Sequence, residues 1–258
     1  MHLDVLFTHY HYDHTQGILL APHTYVPTAS LTLIGPKEHH KGPKQMMLDV
    51  MRQPYHPVDL HRVAGRRMRF QSLEHIGTQV LVVHPEGGYA IFHTDNLAAS
   101  EAGSAQIKIG KKLYNLSECL VIRMYKTVHP EYTISYRFEE RPTGKVFVFL
   151  TDHENTDRFP MDLLRHVRGA GLLVEDCQYS RALYDKSTAG FGHATPDYCA
   201  SLAVRANVQR LGLTHHDPGA TDSEVDARLA EAQAWLATNE PSSQLSIFAC
   251  ADYDTYEV

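Results

Sequence analysis

The chain has 258 residues, near the upper size of one folding domain and enough to bury a sizeable core, and no apolar run approaches the ~18 residues that a membrane span requires. Its 30 acidic against 24 basic side chains leave a formal net charge of −6, which argues against a protein that grips long nucleic acid by neutralising phosphates. The four cysteines (Cys119, Cys177, Cys199, Cys250) are widely spaced with no Cys-x-x-Cys pair, and no signal peptide is visible, so they read as reduced, mostly buried thiols in a cytoplasmic protein.

In chain order, the apolar residues 3–7 predict a strand that runs straight into Thr8-His9-Tyr10-His11-Tyr12-Asp13-His14. A strand alternates faces with period two, so His9 and His11 point the same way from its C-terminal end, and Asp13 and His14 follow in the turn. Imidazole and carboxylate suit zinc and neighbouring divalent first-row metals. Four such groups fill one tetrahedral ion or begin a two-metal site. The basic groups Arg66-Arg67-Met68-Arg69 and residues 108–112 read as solvated faces. Residues 80–83 and 89–92 flank the turn Pro85-Glu86-Gly87-Gly88, a hairpin signal, and a second strand pair flanks Gly110-Lys111-Lys112. His84 and His93 in this stretch read as plain surface residues.

Further strands are expected at residues 133–138, 146–150, 172–174, 208–213 and 245–249. Three more candidate ligands sit beside them: His129 ahead of the first, Asp152 after the second and His215 after the fourth. Residues 196–207 read as a helix, with Thr195 as cap, Pro196 at the favoured first position and Asn207 at its end. A second helix starts at Thr221-Asp222-Ser223-Glu224, a capping-box pattern, with Val225, Leu229, Ala232 and Leu236 on its core face.

The His-x-His-x-Asp-His run, with His129, Asp152 and His215 following in order, resembles the metallo-β-lactamase-fold hydrolases over nearly the whole chain. Phe191-Gly192-His193-Ala194-Thr195, ahead of a helix, resembles the Gly-His-Ser-Thr element of RNase Z and related phosphodiesterases, with Ala194 in place of Ser. The resemblance implies an α/β fold, an αββα sandwich of two sheets with helices outside, in one domain over residues 1–258. Two departures stand out. Only seven residues precede the first motif, so the N-terminal strands of the family are missing, and the true start lies upstream or another element covers the gap. Residues 77–120 form an extra β-rich insertion, expected as a lid, a dimer arm or a cover for the open sheet edge.

By the same resemblance, His9, His11 and His129 hold one metal, Asp13, His14 and His215 the other, and Asp152 bridges them. The two divalent ions are zinc ahead of manganese or iron. Asp13 orients the bridging hydroxide or accepts a proton, and His193 acts on the leaving oxygen. His216, Asp176 and Tyr179 are expected to steady the metal-binding imidazoles. The implied activity is phosphodiester hydrolysis on a small or short substrate, a cyclic nucleotide or an RNA 3′ end. Neither a membrane nor long nucleic acid is an expected partner, and a homo-oligomer, formed through the insertion, is. Two other readings compete: a lactonase or thioesterase of the same fold, and a non-catalytic metal-binding assembly protein.

Overall fold

The computed structural model describes residues 1–65, 67–101 and 106–258. Arg66 of the basic group and residues 102–105 of the expected insertion lie outside the described residues. Backbone contacts divide the chain into two compact units, Met1–His75 with Glu131–Ile134, and Ile76–Pro130 with Ser135–Val258.

The first unit is built on three parallel strands, β1 (His2–Leu6), β2 (Ser30–Pro36) and β3 (Met68–Leu73), with β2 in the middle. A central parallel strand is covered on both faces, and β2 is buried at every residue after Ser30. Helices α1 (Tyr12–Leu20), α2 (Pro22–Tyr25), α3 (Pro43–Val50) and α4 (Leu60–Ala64) complete the unit. Phe7, Leu31, Leu33, Met46, Met47 and Met51 form its core. Arg67 is no solvated charge, since its guanidinium donates to the carbonyls of Val26 (2.8 Å), Ala29 (3.2 Å) and Val63 (2.6 Å).

The second unit carries an eight-stranded sheet. Its strands are β4 (Gln79–His84), β5 (Gly88–His93), β8 (Leu120–Lys126), β9 (Ile134–Glu140), β10 (Lys145–Leu150), β11 (Leu172–Asp176), β12 (Arg210–Thr214) and β13 (Ser246–Ala249), in the order β13-β12-β11-β10-β9-β8-β4-β5. The hairpin expected at residues 80–92 is present and adds β4 and β5 to this sheet beyond β8. Helix α5 (Thr94–Glu101) follows, and β6 (Gln106–Ile109) and β7 (Lys112–Asn115) pair separately. His84 is not a surface residue: it is 9% exposed, packed 4.0 Å from the Tyr114 ring by centroids. Apolar side chains from both strand pairs, among them Val80, Val82, Ile107 and Ile109, form a small core of their own.

From β10 to β13 the strands are parallel, so the C-terminal ends of β10, β11 and β12 lie side by side. The remaining helices are α6 (Met161–Val167), α7 (Arg181–Leu183), α8 (Pro196–Arg205) and α9 (Asp222–Asn239), and side chains of α6, α8 and α9 pack into the core with β10 to β13. The capping box at α9 forms as expected, with Glu224 accepting from the Thr221 N–H at 2.7 Å. Thr195 differs: its hydroxyl donates to Asp197 and does not cap α8. Asn207 follows the helix with φ +55°, the left-handed conformation that asparagine tolerates.

His166, near the end of α6, is buried, and its Nε2 lies 2.9 Å from Ser135 Oγ. The Ser135 hydroxyl donates its one proton to Phe149 O, so the imidazole is the donor in this pair. Burial first, then the Arg137 charge, push its pKa from the ordinary 6.5 down to about 3. The unfolded chain therefore binds a proton below about pH 6.5 that the folded chain refuses, so this contribution is intact above that pH and is lost as pH falls towards 3. His166→Gln is expected to flatten the acid limb of stability by up to about 1.4 kcal/mol per pH unit. Parallel denaturant titrations of both proteins from pH 7 to 4 check this, and equal slopes refute it.

Candidate metal centre

In the first unit, strand pairing ends at Leu6, with a last bond from Phe7 N to Ile34 O. His9 and His11 therefore lie in the segment after the strand. Asp13 and His14 are not in a loop but in the first turn of α1, with His14 N bonded to His11 O at 3.1 Å. That fold-back brings the rings together: His9 is 4.5 Å from His11 and 4.3 Å from His14 by centroids. His9 is 1% exposed. Two carboxylates stand beside the cluster, Asp13 Oδ2 at 3.2 Å from His14 Nε2 and Glu131 Oε2 at 2.7 Å from His11 Nε2.

In the second unit, Asp152 follows β10, Asp176 ends β11 and His215 follows β12, so the parallel sheet delivers all three to one edge. The loop 127–133 carries His129 to the same edge, tied there by Glu154 N on Val128 O at 2.8 Å. Asp152, Asp176, His193 and His215 each offer a ligand atom within 4.8 Å of the others. Asp152 is 1% exposed and stands between two imidazoles: its Oδ2 is 3.9 Å from His129 Nε2 and its Oδ1 is 3.5 Å from His215 Nε2.

The far nitrogens of those two rings are spoken for. His129 Nδ1 donates to Gly192 O at 3.0 Å, and His215 Nδ1 donates to Gln178 Oε1 at 2.9 Å. Each ring thus turns its Nε2 lone pair towards Asp152, the orientation that a metal-binding imidazole is given by a carbonyl behind it. His215 holds a φ of +56°, an uncommon conformation outside glycine that aims the ring from the end of β12. This donor set fits divalent metals: buried imidazoles and carboxylates, oriented from behind, with one carboxylate between two imidazoles. Buried carboxylates also need compensating positive charge.

His193 is arranged differently. Its Nδ1 lies 2.8 Å from Asp176 Oδ2 and its ring stacks on His215 at 4.9 Å. Asp176 is fully buried and accepts N–H bonds from His153 (3.2 Å) and Gln178 (3.1 Å). Burial, followed by the Asp152 carboxylate, pushes Asp176 well above the usual carboxylate range. Asp176 therefore steadies His193, and its Oδ1 also stands 3.9 Å from His215 Nδ1. His216 steadies none of these groups: its Nε2 binds Cys250 O at 3.2 Å. Tyr179 acts one step removed, through Gln178 Nε2 at 3.2 Å.

The sequence reading missed Gln178, which lies in the segment after β11, and Gly192 as a support for His129. Gly192 has φ +97°, and a Cβ there would stand 2.2 Å from His129 Nδ1 and 2.7 Å from Pro130 Cδ. Glu154 accepts the Gly192 N–H at 2.7 Å and also the Tyr184 hydroxyl. Gly192→Ala is expected to push the His129 ring aside and lower metal affinity by roughly 10–100-fold, the usual cost of disturbing a ligand's support. Metal titration of the folded variant against the parent protein checks this, and equal affinity refutes it.

No protein-family model matches the sequence. It is 23% identical over 246 residues to ribonuclease Z of Treponema pallidum (strain Nichols), a match that covers 89% of this chain and 74% of the relative. Among solved structures, the short form of human tRNase Z matches with a TM-score of 0.55 at 16% identity, over 97% of this chain and 77% of that one. The metallo-β-lactamase fold protein YhfI from Bacillus subtilis matches with a TM-score of 0.52 at 16% identity, over 95% and 73%. The expected fold class is thereby borne out, and no helix among the described residues is long and apolar enough to cross a membrane. With its sheet-edge histidines and aspartates, the chain has the metallo-β-lactamase fold and is similar in sequence to ribonuclease Z.

Proposed function

We propose that the chain is a metal-dependent phosphodiesterase with a two-ion centre, acting on a small or short phosphodiester such as a cyclic nucleotide or an RNA 3′ end. The observation that carries this reading is Asp152, one buried carboxylate whose two oxygens face two different imidazoles, beside the separate His193–Asp176 pair. The first arrangement suits two ions, and the second suits an acid that stays out of them. His9, His11 and His129 would hold one ion, Asp13, His14 and His215 the other, with Asp152 shared. Two divalent ions there would supply a water ionised near ~pH 7 and neutralise the diester's charge. Zinc is the first candidate, with manganese and iron next.

The chain's own residues supply the proton traffic. Asp13, 56% exposed at its side chain, orients the attacking water and takes up its proton. His193 keeps its Nδ1 proton on Asp176, so the proton that leaves with the departing oxygen comes from Nε2. Asp176 stabilises the imidazolium before transfer, as a buried carboxylate does for a catalytic histidine. The experiment is a side-by-side assay with bis-p-nitrophenyl phosphate, a lactone and a thioester in the presence of Mn²⁺ or Zn²⁺. Hydrolysis of the diester alone supports the proposal. Hydrolysis of only the lactone or thioester refutes it, as does inertness towards all three.

A further inference from the structure

A cavity of about 540 Å³ opens in the second unit among the loop 156–160, α6, α7, α8 and α9, built from residues that take no part in the metal centre. Its volume falls in the ~300–1,000 Å³ range of small-molecule sites. Three arginines (Arg158, Arg181 and Arg205) line it against two aspartates, Asp157 and Asp197, a local cationic excess in a chain of net charge −6. Arg181 is committed, since Asp197 takes its Nη2 at 2.7 Å and Asp185 its Nη1 at 3.3 Å. Arg158 and Arg205 have no carboxylate within ion-pair distance among the described residues, and both are exposed.

Aromatic rings line the same cavity. Arg205 lies over the Phe159 ring at 5.9 Å, and Phe159 packs 5.0 Å from Tyr198. The Tyr198 hydroxyl is used up, on His153 Nε2 and Thr156 Oγ1 at 3.0 Å each, so this residue offers a ring and no donor. Trp235, the only tryptophan of the chain, also lines the cavity, and it is half-buried. Two guanidinium groups with donors to spare, next to flat apolar rings, match a ligand with an anionic end and an aromatic end. Arginine recognises phosphate through paired N–H groups, and nucleobases stack on aromatic and guanidinium planes.

We propose that this cavity is a mononucleotide-binding site, with the phosphate on Arg158 and Arg205 and the base against Phe159 and Trp235. It goes beyond the proposed hydrolytic function and does not depend on it. The probe is AMP, titrated into the metal-loaded protein while the fluorescence of Trp235 is followed, with adenosine and inorganic phosphate as separate titrants. AMP is expected to give a saturable change at concentrations where neither half does. Arg158→Ala and Arg205→Ala should each weaken it by roughly tenfold or more, the worth of one charge-assisted hydrogen bond. Hydrolysis of bis-p-nitrophenyl phosphate by both variants should stay within about twofold of the parent, because neither residue touches the metal centre. No saturable change up to millimolar AMP overturns the proposal. So does inorganic phosphate binding as well as AMP, or AMP affinity unchanged in both variants.

Discussion

Asp152→Ala is expected to abolish measurable phosphodiester turnover and to bring the protein from about two divalent ions per chain to one or fewer. Replacing a group that only supports a ligand costs about 10–100-fold in metal affinity or activity. Asp152 is in the proposed ligand set itself, with one oxygen towards His129 and the other towards His215. Its loss removes an anion from both sides of the centre and leaves two imidazoles facing a cavity, so the effect exceeds the upper end of that range. Elemental analysis after purification without chelators, repeated after metal is added back, reads the stoichiometry directly. A parent protein that never holds more than one ion per chain defeats the two-ion proposal, whatever the variant does. A variant that keeps two ions and full turnover removes Asp152 from the centre.

His193→Ala should lower kcat by roughly 10²–10⁴-fold, the usual worth of a positioned acid or base, with metal content unchanged. The reason is geometric: His193 has its Nδ1 at 2.8 Å from Asp176 but 4.0 Å from Asp152. A group that protonates the departing oxygen acts on the transition state. The deficit should therefore be large for a diester with an alkoxide leaving group and small for one that releases p-nitrophenolate. Asp176→Asn should copy this dependence in weaker form, since the asparagine amide still touches Nδ1 but carries no charge to stabilise the imidazolium. Loss of metal from His193→Ala would reassign the residue as a ligand, and unchanged turnover on the alkoxide diester would leave it a packing histidine beside α8.

The ligand candidates were legible in the sequence because each stands just beyond an apolar, strand-like run, and metal-binding chemistry draws on few residue types. His129, Asp152 and His215 come to one sheet edge in the structure, and Asp176 and His193 join them. Their supports were not legible. The carbonyl behind His129 belongs to a glycine 63 residues further on, and the one behind His215 to Gln178, in the segment after β11. A backbone carbonyl leaves no mark in a pattern of polar and apolar residues, and one glutamine amide looks like any other polar side chain. His84 shows the reverse error. A histidine at the end of a strand and before a turn reads as solvent-facing, yet Tyr114, 30 residues away in β7, packs against it. Thr195 misled for a similar reason, since its hydroxyl oxygen accepts from the Asn155 side-chain amide and not from a helix N–H group, while its proton goes to Asp197.

Gly192 gives its N–H to Glu154 and its carbonyl to His129, and the next residue is His193. A single residue thus holds the proposed metal ligand and adjoins the proposed acid. Natural variation and laboratory evolution are constrained accordingly, because a change at residues 190–195 alters ion retention and proton delivery together. Lineages of this enzyme that diverge in substrate preference should therefore do so through side chains rooted elsewhere, and this half-buried loop should change slowest of the connecting segments.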